Sequence, residues 1–558
     1  MPEMRGVWAI ARHTLSQCLR MKLAAVFLAL LAVVLSVLPL TMQGDGTLAG
    51  RIRTFLNYST SATAAVMIVA TIFLSVAVIA DDVRDRQIFS IVVKPVSRSA
   101  YVLGRWLGIV LLNVIVLCVA WVIIYSVTMY LSEGEALNAS DRRSVETEVL
   151  TARREVLPEP IDVSEDVAAR IAEMRRAGDL QAALDGYLQQ TGGNEAEAIA
   201  MLQEELAKQA REARQSTGPG GWLSWRFTDV RVGGSETRGT GTIVATGQSP
   251  DDEMRVVRIE APERLIGPLV YRGPVQIAEM DASVWNLGET HFDAAIPVDK
   301  VPSTGDPLAV GKTVELTVFP TVQLSFKANA STKPPDGTLY ALWEIGQPGR
   351  LRREIYRKDQ YQTKATLTLS ADIIDPAGET LVRMRNLPNP RTGFAPSVLI
   401  LREDISLLYR VGAFEPNLVR GMLLTLVQVM YIASLGVLAG SAFSFPVGVL
   451  VCFAFLPFGV AREWISKSVT TVEGTELDTI WTIVGRQIYH VMSALLPDLE
   501  SASAAGSLTD GMAIAWGWGG ENQVGVLGSA APSALAIAVC LGLAFWVFHK
   551  RELARVQV

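Results

Sequence analysis

Six apolar runs dominate the chain, at residues 23–40, 62–80, 107–130, 421–440, 445–460 and 531–548. A helix crosses a bilayer core in roughly 20 apolar residues. Hydrophobic residues make up 50% of the sequence, and they are clustered rather than spread, which is the membrane pattern. The runs predict an α-helical integral membrane protein with six transmembrane helices. Residues 441–444 must then serve as a very short turn, and one long buried hairpin is the alternative for 421–460.

Basic residues stay on the cytoplasmic side of a membrane when they lie in short loops. Arg5, Arg12, Arg20 and Lys22 precede the first run, and Lys550, Arg551 and Arg555 follow the last. The connector between the second and third runs carries Arg84, Arg86, Lys94, Arg98 and Arg105. Residues 461–529 hold only Arg462, Lys467 and Arg486 as Lys or Arg. Both termini are therefore expected inside, in a multi-pass protein of the cell's inner (cytoplasmic) membrane. The first run is longer than a signal-peptide core. Val7, Ile10, Ala11, Thr14, Leu15, Cys18 and Leu19 recur at helical spacing before it, with Gln17 off that face. Residues 1–22 thus read as an amphipathic helix on the cytoplasmic surface.

Residues 131–416 form a large insertion between the third and fourth runs, outside the cytoplasm by the span count. Residues 131–221 read as a helical subdomain, ended by Thr217-Gly218-Pro219-Gly220-Gly221. From 222 to 416 the pattern alternates with period two. Turn signals such as Pro334-Pro335-Asp336-Gly337 punctuate it. That predicts β-sandwich structure, as one unit or two, within an α+β insertion. A second outer segment, 461–530, carries an apolar helical face at Ile480, Ile483, Val484 and Ile488.

Residues 81–106 link the second and third spans. Val83, Phe89, Ile91, Val92 and Val93 are interspersed with polar residues, and Pro95 stops the segment. A short amphipathic helix capped by a proline turn suits docking into a groove on a soluble partner. Lying at the interface with snorkelling Arg and Lys is the plainer alternative. The order of an acidic residue, a short helix, Lys94-Pro95-Val96-Ser97-Arg98 and then Tyr101, Gly104 and Arg105 resembles the first cytoplasmic loop of ABC-2-type transporter permeases. It is most similar to the permease components grouped with multi-copper-enzyme maturation and gliding motility. The resemblance covers roughly residues 4–130 and 415–555. One departure is Gln87-Ile88, where the family often has Gly-Thr.

The resemblance implies that this loop couples the permease to a separate ABC ATPase subunit. Asp82, Arg86, Phe89, Ile91, Lys94, Pro95 and Arg98 would then be the coupling residues. It also implies a second permease copy, the lipid bilayer as surroundings, and an exporter working by alternating access.

Nothing in the chain points to chemistry of its own. Gly311-Lys312-Thr313 mimics the end of a phosphate loop, but Gly305 is one residue too far away and the segment leads into a strand. The four histidines do not cluster, so no metal site is expected. No cofactor is expected in this chain, and the net charge of -6 gives no nucleic-acid footprint. No Asp, Glu, Lys, Arg or His falls inside the six runs, and ion-coupled transporters need such groups at depth. Asn113 and Gln428 lie within them as interhelical hydrogen-bonding residues. Two rival readings differ in class. One is a membrane-anchored extracytoplasmic binding or scaffold protein using the β domain. The other is a tethered hydrolase using carboxylates such as Asp281, Glu289 and Asp293.

Overall fold

The computed structural model describes residues 2–42, 44–84, 97–137, 139–190, 195–232, 237–248, 254–261, 275–277, 280–286, 291–298, 301, 307–318, 320–460, 504–520 and 523–550. They divide into two units, one formed by Met1–Ala152 with Ala413–Val558, the other by Arg153–Gly412.

The helices of the first unit, before the insertion, are α1 (Pro2–Arg20), α2 (Lys22–Thr41), α3 (Leu48–Arg84), α4 (Arg98–Ser132) and the short α5 (Ala139–Ser144). The insertion contributes α6 (Ser164–Ala177), α7 (Leu180–Gln190) and α8 (Glu195–Arg214). The chain then returns through α9 (Phe414–Ala442), α10 (Phe445–Val460), α11 (Ala504–Thr509) and α12 (Val526–Lys550). Among the described residues, five helices are long and apolar enough to cross a membrane: α2, α3, α4, α9 and α12. The run at 445–460 forms the 16-residue α10, about 24 Å at 1.5 Å per residue, against roughly 30 Å of hydrocarbon. The expected outer helical face at 480–495 lies outside the described residues.

Helices α3 and α4 extend well past the apolar runs that announce them, to 37 and 35 residues. Hydropathy marks only the lipid-contacting length, while backbone hydrogen bonding continues wherever the ends are satisfied. The start of α3 shows how. Asp141 is 6% exposed, and its carboxylate accepts from the amides of Leu48 (2.8 Å), Ala49 (3.0 Å) and Leu137 (2.9 Å). A carboxylate there also faces the positive end of the helix dipole. Burial pushes the Asp141 carboxyl up, but the three amides and neighbouring Arg142 outweigh it and hold it below the usual carboxylate range.

A folded pKa lower than the unfolded one contributes stability that is complete above about pH 4 and is lost as the pH falls through the lowered value. Asp141→Asn is therefore expected to cost about 0.5–2 kcal/mol at neutral pH. It should also flatten the acid side of the stability profile. Thermal midpoints of the two proteins in detergent between pH 7 and 3 check this; parallel profiles would contradict it.

The second unit carries most of the strands, which are numbered in chain order. Strands β1 (Thr151–Val156), β10 (Thr321–Lys327), β14 (Lys364–Ser370) and β17 (Ile405–Ala413) form one sheet in the order β1-β17-β10-β14. Strands β3 (Trp222–Phe227), β12 (Thr338–Gln347), β13 (Arg350–Gln360) and β15 (Thr380–Leu387) form another, ordered β13-β12-β15-β3. The two sheets bury a common core that includes Leu324, Leu369 and Leu407 from the first and Trp225, Trp343 and Val382 from the second. A small third sheet joins β2 (Ser216–Thr217), β11 (Asn329–Ala330) and β16 (Val398–Leu399).

Alternation in the sequence anticipates β3, β12 and β15, whose inward residues recur every second position. It misses β1, which falls in a stretch read as helical. Thr151, Ala152 and Arg153 are buried there, beside β17, so pairing overrides local preference. It also misses β13, whose run of charges hides a strand paired with β12 from Thr338↔Gln360 to Gln347↔Arg350.

Between β3 and β10 the chain builds a closed barrel, ordered β4-β5-β8-β7-β6-β9. Its strands are β4 (Thr237–Gln248), β5 (Met254–Glu260), β6 (Val275–Ile277), β7 (Met280–Asn286), β8 (His291–Pro297) and β9 (Thr313–Val318). Ile243, Val257, Ile259, Ile296 and Leu316 fill it. The alternation had allowed a second sandwich; closure is the other way to remove exposed strand edges. Gly311, at φ +87, turns the chain into β9, so the Gly-Lys-Thr sequence sits in a tight turn before a strand. Asp293 of the candidate carboxylates is held by Arg258 across the β5–β8 ladder at 2.8 and 3.1 Å.

Candidate functional site

The connector that resembles a coupling loop leaves α3 at Arg84 and enters α4 at Arg98. Arg86, Phe89, Ile91, Lys94 and Pro95 lie outside the described residues; Asp82 and Arg98 lie within them. Ser97 caps α4, its hydroxyl accepting from the Ala100 amide at 3.3 Å. This is the ordinary way to satisfy a first-turn donor.

Asp82, expected among the residues that couple to a partner, is instead buried on the last turns of α3, at 1% exposure. It pairs with Arg105 of α4, itself 2% exposed, and the Tyr101 hydroxyl donates to the same carboxylate oxygen. Tyr101 and Arg105 are four residues apart, so they share one helix face. The guanidinium lies 5.4 Å from the Tyr101 ring centroid, within cation–π range. Its other arm reaches α1, donating to Gln17 Oε1 at 2.6 Å and Thr14 Oγ1 at 3.2 Å.

Gly104 and Gly108 make that reach possible. A Cβ at Gly104 would stand 2.7 Å from the Ile10 Cβ, and one at Gly108 would stand 2.7 Å from the Ala11 carbonyl oxygen. The small residues, spaced G-x-x-x-G, let α1 lie directly against α4. Ala11, Thr14 and Cys18 are fully buried by the contact, while Leu19 stays half exposed. The apolar face of α1 thus splits between helix packing and the surroundings.

Arg98 closes the cluster from the other side. Its Nη1 donates to the carbonyls of His549 (3.1 Å) and Phe548 (3.4 Å) in the last turn of α12. A cation is favoured at that negative helix end. The Tyr101 and Phe548 rings lie 5.4 Å apart. Four helix segments, from α1, α3, α4 and α12, are therefore tied together where the connector attaches.

A buried ion pair adds little net stability, because desolvating two charges offsets their attraction; breaking it is what costs. The Arg105 Nε has no partner among the described residues. The cluster's contacts join the ends of α1, α3, α4 and α12.

Sequence reasoning placed Tyr101, Gly104 and Arg105 in the resembling motif but did not join them to Asp82. It set Gln17 off the packed face of α1. The available signal was the i, i+3 spacing of Thr14 and Gln17 opposite a helix that carries Gly-x-x-x-Gly. Comparison of the chain with protein-family models, with curated proteins and with solved structures finds no match.

Proposed function

We propose that the chain is the membrane-spanning permease subunit of an ATP-driven transporter, working as an exporter with a separate ATPase subunit docked on the connector at 85–96. The proposal takes α10 as the sixth span, both termini inside, the second unit outside the cytoplasm and two permease copies in the assembly. One observation carries it. The connector's two attachment points are locked to each other, to α1 and to α12 by Asp82, Tyr101, Arg98 and Arg105. A push on the connector would move α3 and α4 as one body rather than bend a loose loop. Closure of an ATPase pair would thereby tilt two membrane-length helices and open a path between permease copies.

The test replaces Phe89 and Ile91 by Asp. Charge placed in a desolvated contact costs on the order of several kcal/mol, so the ATPase should no longer co-purify with the chain and stimulated ATP turnover should fall to background. Membrane insertion should be unchanged, because the apolar helices are untouched. Full association and turnover in the double variant would remove the coupling role and favour an anchored scaffold.

A further inference from the structure

Trp516-Gly517-Trp518-Gly519 stands just before α12 and is folded back on the first turn of that helix. The Leu527 amide donates to the carbonyls of Gly517 (3.1 Å) and Trp516 (3.3 Å), and the Val526 amide to that of Ala515 (2.8 Å). Gly519 takes φ +87, and Gly528 leaves no room for a Cβ beside the Trp518 carbonyl. The backbone is thus held close to α12, yet the two indoles turn outward, 55% exposed for Trp516 and 73% for Trp518.

The other exposed Trp and Tyr side chains among the described residues of this unit are Trp8, Tyr58, Tyr130 and Trp546. All six fall at two levels, for which the Asp82–Arg105 ion pair is a reference. Tyr58 lies 24 residues before Asp82 on α3 and Tyr130 lies 25 residues after Arg105 on α4, about 36–38 Å along each helix at 1.5 Å per residue. Trp546 and Trp8 lie at the ion-pair level: Trp546 is two residues from Phe548, whose ring meets Tyr101, and Trp8 is two residues from Ile10, which packs on Gly104. On α12, Leu527 at the Trp516–Trp518 level is 19 residues from Trp546, about 28 Å. Between the levels the large exposed side chains of α4 and α12 are aliphatic: Ile115, Val119, Val122, Leu535, Val539 and Leu543. No Asp, Glu, Lys, Arg or His occurs from Tyr58 to Ala80, from Trp106 to Tyr130 or from Leu527 to Phe548.

A spacing of about 28–38 Å brackets the roughly 30 Å hydrocarbon core of a bilayer. Trp and Tyr collect at its two surfaces, where an apolar ring and a polar tip are both satisfied. Each level also sets a cation over an indole: Arg420 is 5.4 Å from the Trp516 ring centroid and Lys550 is 4.3 Å from that of Trp546. Such a cation reaches phosphate while its stem and the ring stay in the ester layer.

We infer that the Trp516–Trp518 loop is a membrane-surface anchor, its indoles seated among the phospholipid headgroups of the leaflet at the start of α12, with Trp8 and Trp546 seated in the opposite leaflet. The Asp82–Arg105 cluster then lies at that opposite surface rather than in the middle of the hydrocarbon. This does not depend on the permease proposal; it needs only that α3, α4 and α12 cross a bilayer.

The experiment uses the full chain in phosphatidylcholine vesicles, with the exposed Cys118 replaced by Ser and the buried Cys18, Cys452 and Cys540 kept. Nitroxide labels are attached in three separate variants, Trp518→Cys, Leu535→Cys and Tyr356→Cys. Collisions with oxygen, which concentrates in hydrocarbon, are compared with collisions with a water-soluble nickel chelate. The oxygen-to-nickel ratio is expected to be several-fold higher at position 535 than at 356, with position 518 between them. A ratio at 518 equal to that at 356 would place the loop in water, and one equal to that at 535 would place it in the core. Low collision with both reagents would mean that protein covers it. Each of these three results would overturn the inference.

A second measurement keeps the aromatic ring. Emission lost on Trp518→Phe should be quenched more by phosphatidylcholine brominated near the ester end of its chains than by lipid brominated near the methyl end. The reverse order, or no quenching by either, would overturn the anchor as well.

Discussion

Replacing Arg105 by Met alone is expected to lower the stability of the membrane-embedded unit by about 3–5 kcal/mol, because it strands a carboxylate in a desolvated site. Asp82 would keep only the Tyr101 hydroxyl, and α1 would lose the bonds from Arg105 to Gln17 and Thr14. Changing both members of the pair should cost much less. In Asp82→Asn/Arg105→Met the buried charge is gone and the amide still accepts from Tyr101. The prediction is therefore one of non-additivity: the double variant unfolds at a higher temperature than Arg105→Met. Thermal unfolding in detergent, followed by circular dichroism, reads this directly. A double variant less stable than the single one would show that the ion pair stabilises outright. Where the permease proposal holds, the double variant should fold yet show reduced turnover by the proposed ATPase subunit.

The second large effect lies in the sandwich core. Trp343 is 1% exposed and packs on Phe326 at 4.4 Å and Trp225 at 6.1 Å between ring centroids. It links the two sheets, since Phe326 belongs to β10 and Trp225 to β3. Trp343→Ala is expected to cost about 3–5 kcal/mol, the usual range for emptying so large a buried volume. Trp343→Phe should cost less, because it keeps most of the packing and also removes an indole N–H that has no partner among the described residues. Urea unfolding followed by near-ultraviolet circular dichroism separates the two variants. Equal losses for Phe and Ala would mean that the site collapses around either side chain.

Much of this architecture was legible in the sequence, for identifiable reasons. Apolar runs of membrane length locate α2, α3, α4, α9 and α12, because a bilayer leaves no alternative for such segments. Helical spacing gives α1, and period-two alternation gives those strands that have one wet face. The connector at 81–106 is recognisable by its charges and by Pro95. The charged β13 was not legible, because its partner β12 rather than its own pattern makes it a strand. Nor was the barrel, since alternation is the same in a closed ring and an open sandwich.

The sequence by itself marked six apolar runs, five of which lie in helices long enough to cross a bilayer, and a β-rich insertion between the third and fourth of them. It did so because hydrophobic length and period are local properties. Only the tertiary structure decided that Asp82, Arg105, Tyr101, Gln17 and Thr14 form one buried cluster. It alone buried the Asn113 amide nitrogen with no partner among the described residues. Both depend on which helix faces lie together, and that is set by glycines and side-chain shapes on helices far apart in the chain.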